Sequence, residues 1–431
     1  MIKFLLTYRE LLIAFLIIFI CGNLFLPLCY GILLLVLVFW TIRNMHEHLI
    51  ILLLLILILG DSRSHSFAFV KNLRIIIVTY LAVITIWKLL KKKYPLHPAF
   101  LLSIPFFISA SISGFRSPIP LISYSKLISY FFLLLIVFHY IQYHIRQKGE
   151  QLLMDILYLA AWVFLLGLLM IVVYPSFVFL ASRYRGLFGN PNGLGIYCSL
   201  ILPYLMILWK IYPHQRKNII WAIVLLIISI LLSESRTALG AIILFLFLYK
   251  LYRGYPIRRW LFILAILPLA ILFFQFISLE QIIRAIGLAE YLRVESLTTG
   301  TGRYFAWRII WDFLIERIWL GGGFAYEEFI FDQFTAFFLS TEHQGRMHNS
   351  YLTLIMNTGL IGFSLLLGFL ILILARMKPA YLAIPFLVVA LLSAGFESWL
   401  SSSLNAFSIH FYMIVVILNN YTFLKQKHLN Q

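Results

Sequence analysis

Long apolar runs constrain this chain more strongly than any other feature of its sequence. Runs of 16–28 mostly apolar residues recur from one end to the other, with short clusters of Lys, Arg, Pro, Gly and Asn between them. About 20 apolar residues in a helix are enough to cross the hydrocarbon core of a bilayer. Because 63% of the residues are hydrophobic and 12% are charged, a water-soluble fold is excluded. The sequence predicts an all-α integral membrane protein.

The runs predict about fourteen transmembrane helices, or twelve if the first runs are divided differently. The first run has no small-residue cleavage site and leads directly into another run, so we expect a retained span. The predicted spans are 10–22, 25–42, 48–60, 74–91, 97–112, 121–144, 151–177, 191–212, 218–233, 236–252, 259–278, 349–376, 379–396 and 403–421.

One long polar interval interrupts the apolar pattern. Within it, TTGTG precedes a periodic apolar stretch from Phe305 to Ile318 and GGG follows, which predicts an amphipathic helix with a defined start and stop. The expected fold is a bundle of about 12–14 transmembrane helices with one long, partly helical outer loop. We divide the chain into N-terminal transmembrane helices (1–180), core transmembrane helices with arginine-bearing outer turns (181–278), the polar loop (279–348) and C-terminal transmembrane helices (349–431).

The distribution of positive charge predicts the orientation in the membrane. Assigning alternate loops to the two sides places most Lys and Arg residues in short loops on the side of both termini. Such loops stay in the cytoplasm, so we expect cytoplasmic termini and an outer 279–348 loop. The net charge of +18 does not indicate nucleic acid, because the basic residues are spread over many loops. Cys21, Cys29 and Cys198 lie in or beside apolar runs, so we expect no disulfide and no metal site.

The outer side carries arginine where lysine would serve as a general surface cation. Arginine binds phosphate or carboxylate oxygens through two parallel hydrogen bonds and stays charged where water is scarce. The bias favours an anionic ligand, and the alternative is pairing with the loop's own carboxylates. After Lys126 the basic residues assigned to this side are Arg183, Arg185, Arg236, Arg284, Arg293, Arg303, Arg308, Arg317 and Arg346.

Two outer turns are candidates for binding an anion. RYRGLFGNPNGLG (183–195) combines arginines with a Gly, Asn and Pro turn before a helix N-terminus, which suits an anion, although an ordinary interhelical turn uses the same residues. Arg236 lies in a short turn between two apolar spans, where an arginine is costly unless it has a function or a partner. Glu234 is the expected partner, and a purely structural salt bridge is the alternative.

The polar loop offers two further candidates. Arg303 is expected in the first turn of the amphipathic helix, where a cation is unfavourable unless an anion binds there. His348 precedes the last group of helices and suits a general base because its ordinary pKa is near neutrality, with Arg346 nearby favouring the neutral form. A capping or packing histidine is the alternative, and His343 is a competing base.

Five segments in order carry a family resemblance: RGLFGNPNGLG (185–195), SRTALGA (235–241), GRYFAWRIIWDFLIERIWLGGGF (302–324), HNSYLTLIMNTGLIGF (348–363) and GFES (395–398). Together they resemble the O-antigen ligase and O-antigen polymerase superfamily of bacterial membrane glycosyltransferases. The resemblance covers about residues 180–400 in matching order, whereas 1–180 matches only as hydrophobic spans.

The resemblance implies an inverting, metal-independent transfer of a glycan from undecaprenyl diphosphate to an acceptor sugar, without cofactors, at the periplasmic face of the inner membrane. It assigns the general base to His348 and the diphosphate to Arg236 and Arg303, with Arg185 assisting. Residues expected to support them are Glu234, Arg346, Asn349 and Glu397.

The acceptor and the reaction class stay open at this stage. A ligase transfers to lipid A–core, whereas a polymerase transfers to another lipid-linked repeat unit, and the compact outer loop favours the ligase. A transporter of lipid-linked glycans without catalysis is the alternative of a different class. It would require charge along the bundle interior, but the predicted spans after Asp155 contain almost no ionisable residues.

Overall fold

The computed structural model describes residues 2–254, 303–336 and 346–429. Almost all regular structure in these residues is helical, which confirms the expected all-α membrane fold. The strand structure among them is a short antiparallel pair, β1 (Phe179–Leu180) and β2 (Arg183–Tyr184), with Phe179 opposite Tyr184. The predicted span 259–278 and the competing base His343 lie outside the described residues.

The first described stretch runs from the N-terminal helix to residue 254. A π-helical turn, Ile136–Ile141, joins α8 to α9, and 3₁₀ turns lie at His65–Phe67 and Pro213–Gln215. Its α-helices are α1 (Ile2–Thr7), α2 (Arg9–Leu24), α3 (Leu26–Ile42), α4 (His46–Leu59), α5 (Val70–Leu90), α6 (Pro98–Leu101), α7 (Ile104–Phe115), α8 (Pro120–Leu135), α9 (Gln142–Lys148), α10 (Glu150–Val173), α11 (Pro175–Val178), α12 (Pro191–Ile211), α13 (Arg216–Ser233) and α14 (Arg236–Gly254).

The remaining helices belong to the polar loop and the C-terminal part of the chain. Side chains cap the starts of several long helices, as in α12, where the Asn190 oxygen accepts from the Gly193 N–H at 2.7 Å. Numbered onward from α14, they are α15 (Arg303–Glu316), α16 (Tyr326–Gln333), α17 (Ser350–Leu374), α18 (Ala380–Phe396), α19 (Ala406–Asn419) and α20 (Tyr421–Leu429).

Seven described helical segments are long and apolar enough to cross a membrane, or eight if the pair α19 and α20, bent by 61°, is one broken span. The helices α3, α4 and α18 are apolar but shorter. The total of 12–14 spans stays a prediction. The seven segments are His65–Leu90, Pro98–Phe115, Pro120–Lys148, Glu150–Val173, Pro191–Ile211, Pro213–Ser233 and Ser350–Leu374.

Three helices form the centre of the bundle. Side chains on all faces of α4, α12 and α19 are buried, and α12 packs against α13, α14, α18 and α19. Outer helices instead expose large apolar side chains, such as Leu121 on α8 and Val172 on α10. Apolar faces of this kind are stable in lipid, where helices satisfy their own backbone groups. The centre is therefore protein-packed and the rim is suited to lipid.

The helix α17 is broken at Gly359, where the backbone turns to φ 69° and ψ 179°. The loop after α15 fills this break: the Gly322 and Gly323 N–H groups donate to carbonyls of α17 at 2.9 Å each, and the Leu360 N–H donates to the Ile318 carbonyl at 2.7 Å. The predicted amphipathic helix is confirmed as α15, and its GGG stop docks on α17. This contact ties the polar loop to the transmembrane bundle.

Candidate active site

His348 lies directly before α17 in a sharply turned backbone, with φ 47°. The two residues beside it hold this conformation: the Trp307 indole N–H donates to the Met347 carbonyl at 3.0 Å, and the Asn349 N–H donates to the Ser398 hydroxyl at 3.0 Å. Left-handed backbone at a non-glycine residue is unfavourable and persists only where the surroundings enforce it. The histidine is therefore held in place by two separate parts of the chain.

Asn349 begins α17 as its N-cap. Its side-chain oxygen accepts from the Tyr351 and Leu352 N–H groups at 2.9 and 3.1 Å. The next residue, Ser350, donates its hydroxyl to the Glu397 carbonyl at 2.6 Å. Capping was one alternative for this motif, and it is carried by Asn349, which leaves the His348 ring available for another role.

The His348 ring is paired with Glu397. Nδ1 of the imidazole lies 2.9 Å from Oε2 of the carboxylate. Because an ionised carboxylate only accepts hydrogen bonds, this contact places the proton on Nδ1 and leaves Nε2 as an acceptor. The His348 and Glu397 side chains are 23% and 16% exposed, so the pair is mostly buried but remains accessible to a substrate. An imidazole oriented by a carboxylate is the arrangement that general bases use.

A chain of hydrogen bonds extends from Glu397 to the other outer turns. Oε1 of Glu397 accepts from the Asn192 side-chain amide at 3.0 Å, and the Asn192 oxygen accepts from Arg183 at 3.4 Å. Arg183 also donates to the Ser233 and Glu234 carbonyls at 3.0 and 3.1 Å. The hydrogen bonds thus join His348, Glu397 and the 183–195 segment to the outer turn 233–237, here called the SRT turn, at one end of the bundle.

The SRT turn presents Arg236 at the first position of α14, where its side chain is half-buried. Glu234, at the end of α13, has a left-handed backbone with φ 49° and ψ 31°. Its carbonyl serves as an acceptor for Arg183. The turn is therefore bound to the motif before α12, and the roles of Glu234 and Arg236 toward an anion stay predictions.

Arg185 is engaged with the backbone of its own turn. Its Nε donates to the Phe177 carbonyl at 3.1 Å, and Nη1 lies 3.4 Å from the Gly189 carbonyl. Burial, followed by the nearby Arg63 charge, lowers the pKa of the guanidinium. These contacts shape the turn, and its predicted contact with diphosphate stays a prediction.

A carboxylate of the protein itself, Asp61, contacts the backbone of this turn. Oδ2 of Asp61 accepts from the Gly189 N–H at 3.0 Å, close to the start of α12. Burial raises the pKa of Asp61, opposed by this hydrogen bond and by the positive charges of Arg74, Arg63 and Arg346. Sequence reasoning missed Asp61 because it lies 128 residues from Gly189, although a carboxylate directly after an apolar helix was a usable signal.

The polar loop contains a second carboxyl group that the sequence did not indicate, that of Glu327. Oε2 of Glu327, on α16, is buried and has no hydrogen-bond partner among the described residues. Burial raises the pKa of Glu327, and a hydrogen bond from Thr353 opposes this effect. The resulting pKa is about 7. The positive charge of Arg346 also acts on this carboxyl. Arg346 is exposed, and its positive charge acts on both Asp61 and Glu327.

Arg303 is the first residue of α15, as the sequence predicts, and its side chain lies outside the described residues. Farther along the same loop, Arg317 donates to the Arg116 carbonyl at 2.9 Å and lies over the Tyr326 ring. Several outer arginines thus bind backbone carbonyls, a use that differs from both anion binding and carboxylate pairing.

The comparison with known families agrees with these motifs. The family model described as O-Antigen ligase matches residues 221–367, which include Arg236, Arg303 and His348 and leave out Arg185 and Glu397. No curated protein matches the chain. The match supports the O-antigen ligase and polymerase superfamily.

Proposed function

We propose that this protein, a member of the O-antigen ligase and polymerase superfamily, is a glycosyltransferase of the bacterial inner membrane. It transfers a glycan from undecaprenyl diphosphate to a hydroxyl group of an acceptor sugar at the periplasmic face. The observation that carries the proposal is the His348 and Glu397 pair, with 2.9 Å between Nδ1 and Oε2, at the point where the family's motifs meet.

In the proposed reaction, Nε2 of His348 takes the proton of the acceptor hydroxyl. The hydroxyl oxygen forms a bond to the anomeric carbon of the donor glycan as the bond from that carbon to the diphosphate oxygen breaks. Attack from the side opposite the leaving group inverts the configuration. Glu397 stabilises the imidazolium that forms, as an acidic partner does for other general bases, and the proton then passes to water.

The leaving group is undecaprenyl diphosphate, which needs charge stabilisation rather than a proton. Arg236 and Arg303 each stand at the first position of a helix, where backbone N–H groups and the helix dipole also favour an anion. In a site with little water, such charges stabilise a departing diphosphate strongly. We assign both arginines to the diphosphate, with Arg185 shaping the turn beside them.

Lipid A–core is the acceptor that we propose. The compact outer loop is the feature that favours a ligase, whereas the family match is common to ligases and polymerases. Polymerisation of lipid-linked repeat units uses the same donor chemistry, so the two functions differ only in the acceptor.

The test uses purified full-length protein with an undecaprenyl-diphosphate oligosaccharide and, separately, lipid A–core or a second lipid-linked repeat unit. Product that forms only with lipid A–core as acceptor supports the ligase, and product that forms only with the repeat unit as acceptor identifies a polymerase. We expect His348→Ala to lower turnover by about 10²-fold or more. Full turnover in His348→Ala would contradict the assignment of His348 as the general base. If the protein binds the donor but forms no product with either acceptor, a transporter is favoured.

A further inference from the structure

A second polar cluster lies at the other end of α12 from the candidate active site. It consists of Glu150 at the start of α10, His214 in the 3₁₀ turn after α12, and His428 near the end of α20. Since α12 has 21 residues, about 30 Å separates the two ends. The proposed transfer reaction makes no use of this cluster.

The three side chains converge on one point. Nε2 of His214 lies 2.6 Å from Oε1 of Glu150, and Nδ1 of His428 lies 3.6 Å from Oε2 of the same carboxylate. One ligand atom from each residue lies within 4.8 Å of the other two. Tetrahedral Zn²⁺, with bonds of about 2.0–2.1 Å, keeps its ligand atoms about 3.4 Å apart. Small side-chain rotations therefore bring all three atoms into metal-binding distance.

Neighbouring groups hold these side chains in position. The Gln215 amide donates to Oε1 of Glu150 at 2.7 Å, and Asn218 donates to the Gln215 oxygen at 2.8 Å. The two imidazole rings are nearly parallel, with centroids 4.8 Å apart. Metal sites typically have such a second layer of hydrogen bonds, which orients the ligands.

The ligand types select the kind of metal ion. Two imidazoles and one carboxylate suit Zn²⁺ and similar transition metals, whereas Ca²⁺ and Mg²⁺ require more oxygen ligands. His214 is 48% exposed, so an ion can reach the site and a water molecule can complete four ligands. We propose that Glu150, His214 and His428 bind one Zn²⁺-class ion.

The ion would strengthen the attachment of the C-terminal helix to the bundle. α20 turns by 61° from α19, and its Lys427 donates to the Arg146 and Gln147 carbonyls at 2.9 and 2.6 Å. Coordination by His428 would turn its existing contacts with Glu150 of α10 and His214 of the turn after α12 into metal-ligand bonds. The metal is therefore a structural clamp on the C-terminal helix.

The test measures Zn²⁺ binding to full-length protein without a histidine tag, after removal of metal with a chelator. Equilibrium dialysis should give one Zn²⁺ per chain, and Co²⁺ should give the visible absorption of a four-ligand site. His214→Ala, His428→Ala and Glu150→Gln should each weaken binding by about tenfold or more. His65→Ala, at an exposed histidine outside the cluster, is the matched control and should bind as the wild type does.

A second measurement covers variants that fold poorly. Zn²⁺ should raise the Tm of the wild type and of His65→Ala, and should protect the C-terminal segment from protease, with neither effect in His428→Ala. Absence of stoichiometric Zn²⁺ in the wild type would overturn the proposal. Equal binding by the wild type and all three cluster variants would also overturn it.

Discussion

At the scale of single residues, Glu397 is the hydrogen-bond partner that orients the His348 ring. The carboxylate accepts from Nδ1 at 2.9 Å and from the Asn192 amide at 3.0 Å, so both of its oxygens have donors. This pattern fits an ionised carboxylate that orients the histidine. The left-handed backbone of His348, with φ 47°, is the kind of local strain that concentrates at functional sites.

The first prediction concerns Glu397→Gln. Glutamine keeps the size but carries one acceptor in place of two, so it cannot serve both His348 and Asn192 as the carboxylate does. We expect kcat to fall by about 10²-fold or more, with a smaller change in donor KM. Steady-state glycan transfer measures both constants. Glu328→Gln, at an exposed carboxylate paired with Lys126, is the control, and an equal loss in both variants would contradict the assignment.

The second prediction compares two arginines of α15. Arg303→Lys keeps the charge but loses the two parallel hydrogen bonds to a phosphate, at a cost of about 1.4 kcal/mol, so donor use should fall about tenfold. Arg308→Lys changes an exposed arginine of the same helix and should leave donor use unchanged. Donor KM and kcat are the measurements, and Arg236→Lys should behave like Arg303→Lys. Full activity in both Arg236→Lys and Arg303→Lys would contradict the assignment of diphosphate binding to these two arginines.

At the scale of elements, the polar loop is positioned by its hydrogen bonds to α17 at the break in that helix. At Gly359, with φ 69° and ψ 179°, only glycine is comfortable, and a Cβ there would overlap the Trp319 carbonyl. The freed carbonyls of α17 accept from the glycines after α15. The loop thus replaces helix hydrogen bonds that the break removes.

The third prediction follows from this contact. Gly359→Ala should destabilise the protein by about 1–3 kcal/mol and lower glycan transfer, because the loop can no longer dock. Gly368→Ala is the matched control in the same helix, since a Cβ there would have no neighbour within 4 Å, and it should be neutral or slightly stabilising. Tm in detergent and transfer activity are the measurements. Equal Tm values for the two variants would contradict the docking argument.

The fourth prediction concerns the packing of α16 against the bundle. Burial raises the pKa of Glu327 from 4.5 to about 7, so the folded state binds this proton more tightly than the unfolded chain does. The resulting stability is complete below about pH 4.5 and is lost as the pH rises through about 7. We therefore expect the Tm of the wild type to fall over this interval and that of Glu327→Gln to fall less. Glu328→Gln is the control and should keep the wild-type slope.

At the scale of the whole molecule, the candidate site belongs to no single segment. α12 carries Asn192 at one end and leads to the His214 turn at the other, so the proposed active site and the proposed metal site stand on opposite faces of the bundle. The positive-inside rule predicts that the first lies on the outer face and the second in the cytoplasm. The predicted sides of the proposed active site and of the proposed metal site therefore depend on the same membrane orientation.

The fifth prediction tests that orientation. In a variant without Cys21, Cys29 and Cys198, a cysteine is introduced at Ser182 or at Lys93, both of which are exposed. A thiol reagent that cannot cross the inner membrane should label Ser182→Cys in intact spheroplasts and Lys93→Cys only after lysis. The reverse pattern would invert the orientation and move the candidate site to the cytoplasm.

Much of the fold follows from local sequence, whereas the site follows only in part. The predicted helix after TTGTG and the helix start at HNS both match the structure, at α15 and α17. The resemblance pointed to His348 and Glu397 as members of one site. It offered no reason to expect Asp61 at the Gly189 turn or the buried Oε2 atom of Glu327, because both depend on which helices become neighbours.

The sequence by itself determined that this protein is a helical membrane protein. Apolar runs this long leave backbone groups no partner except within a helix, and residues such as Asn190 and Asn349 mark helix starts because their side-chain oxygens accept from backbone N–H groups of the first turn. Only the tertiary structure decided which side chains meet. Glu397 reaches His348 across 49 residues and Asp61 reaches Gly189 across 128, because the order in which apolar helices pack is set by their contacts with one another and not by their periodicity.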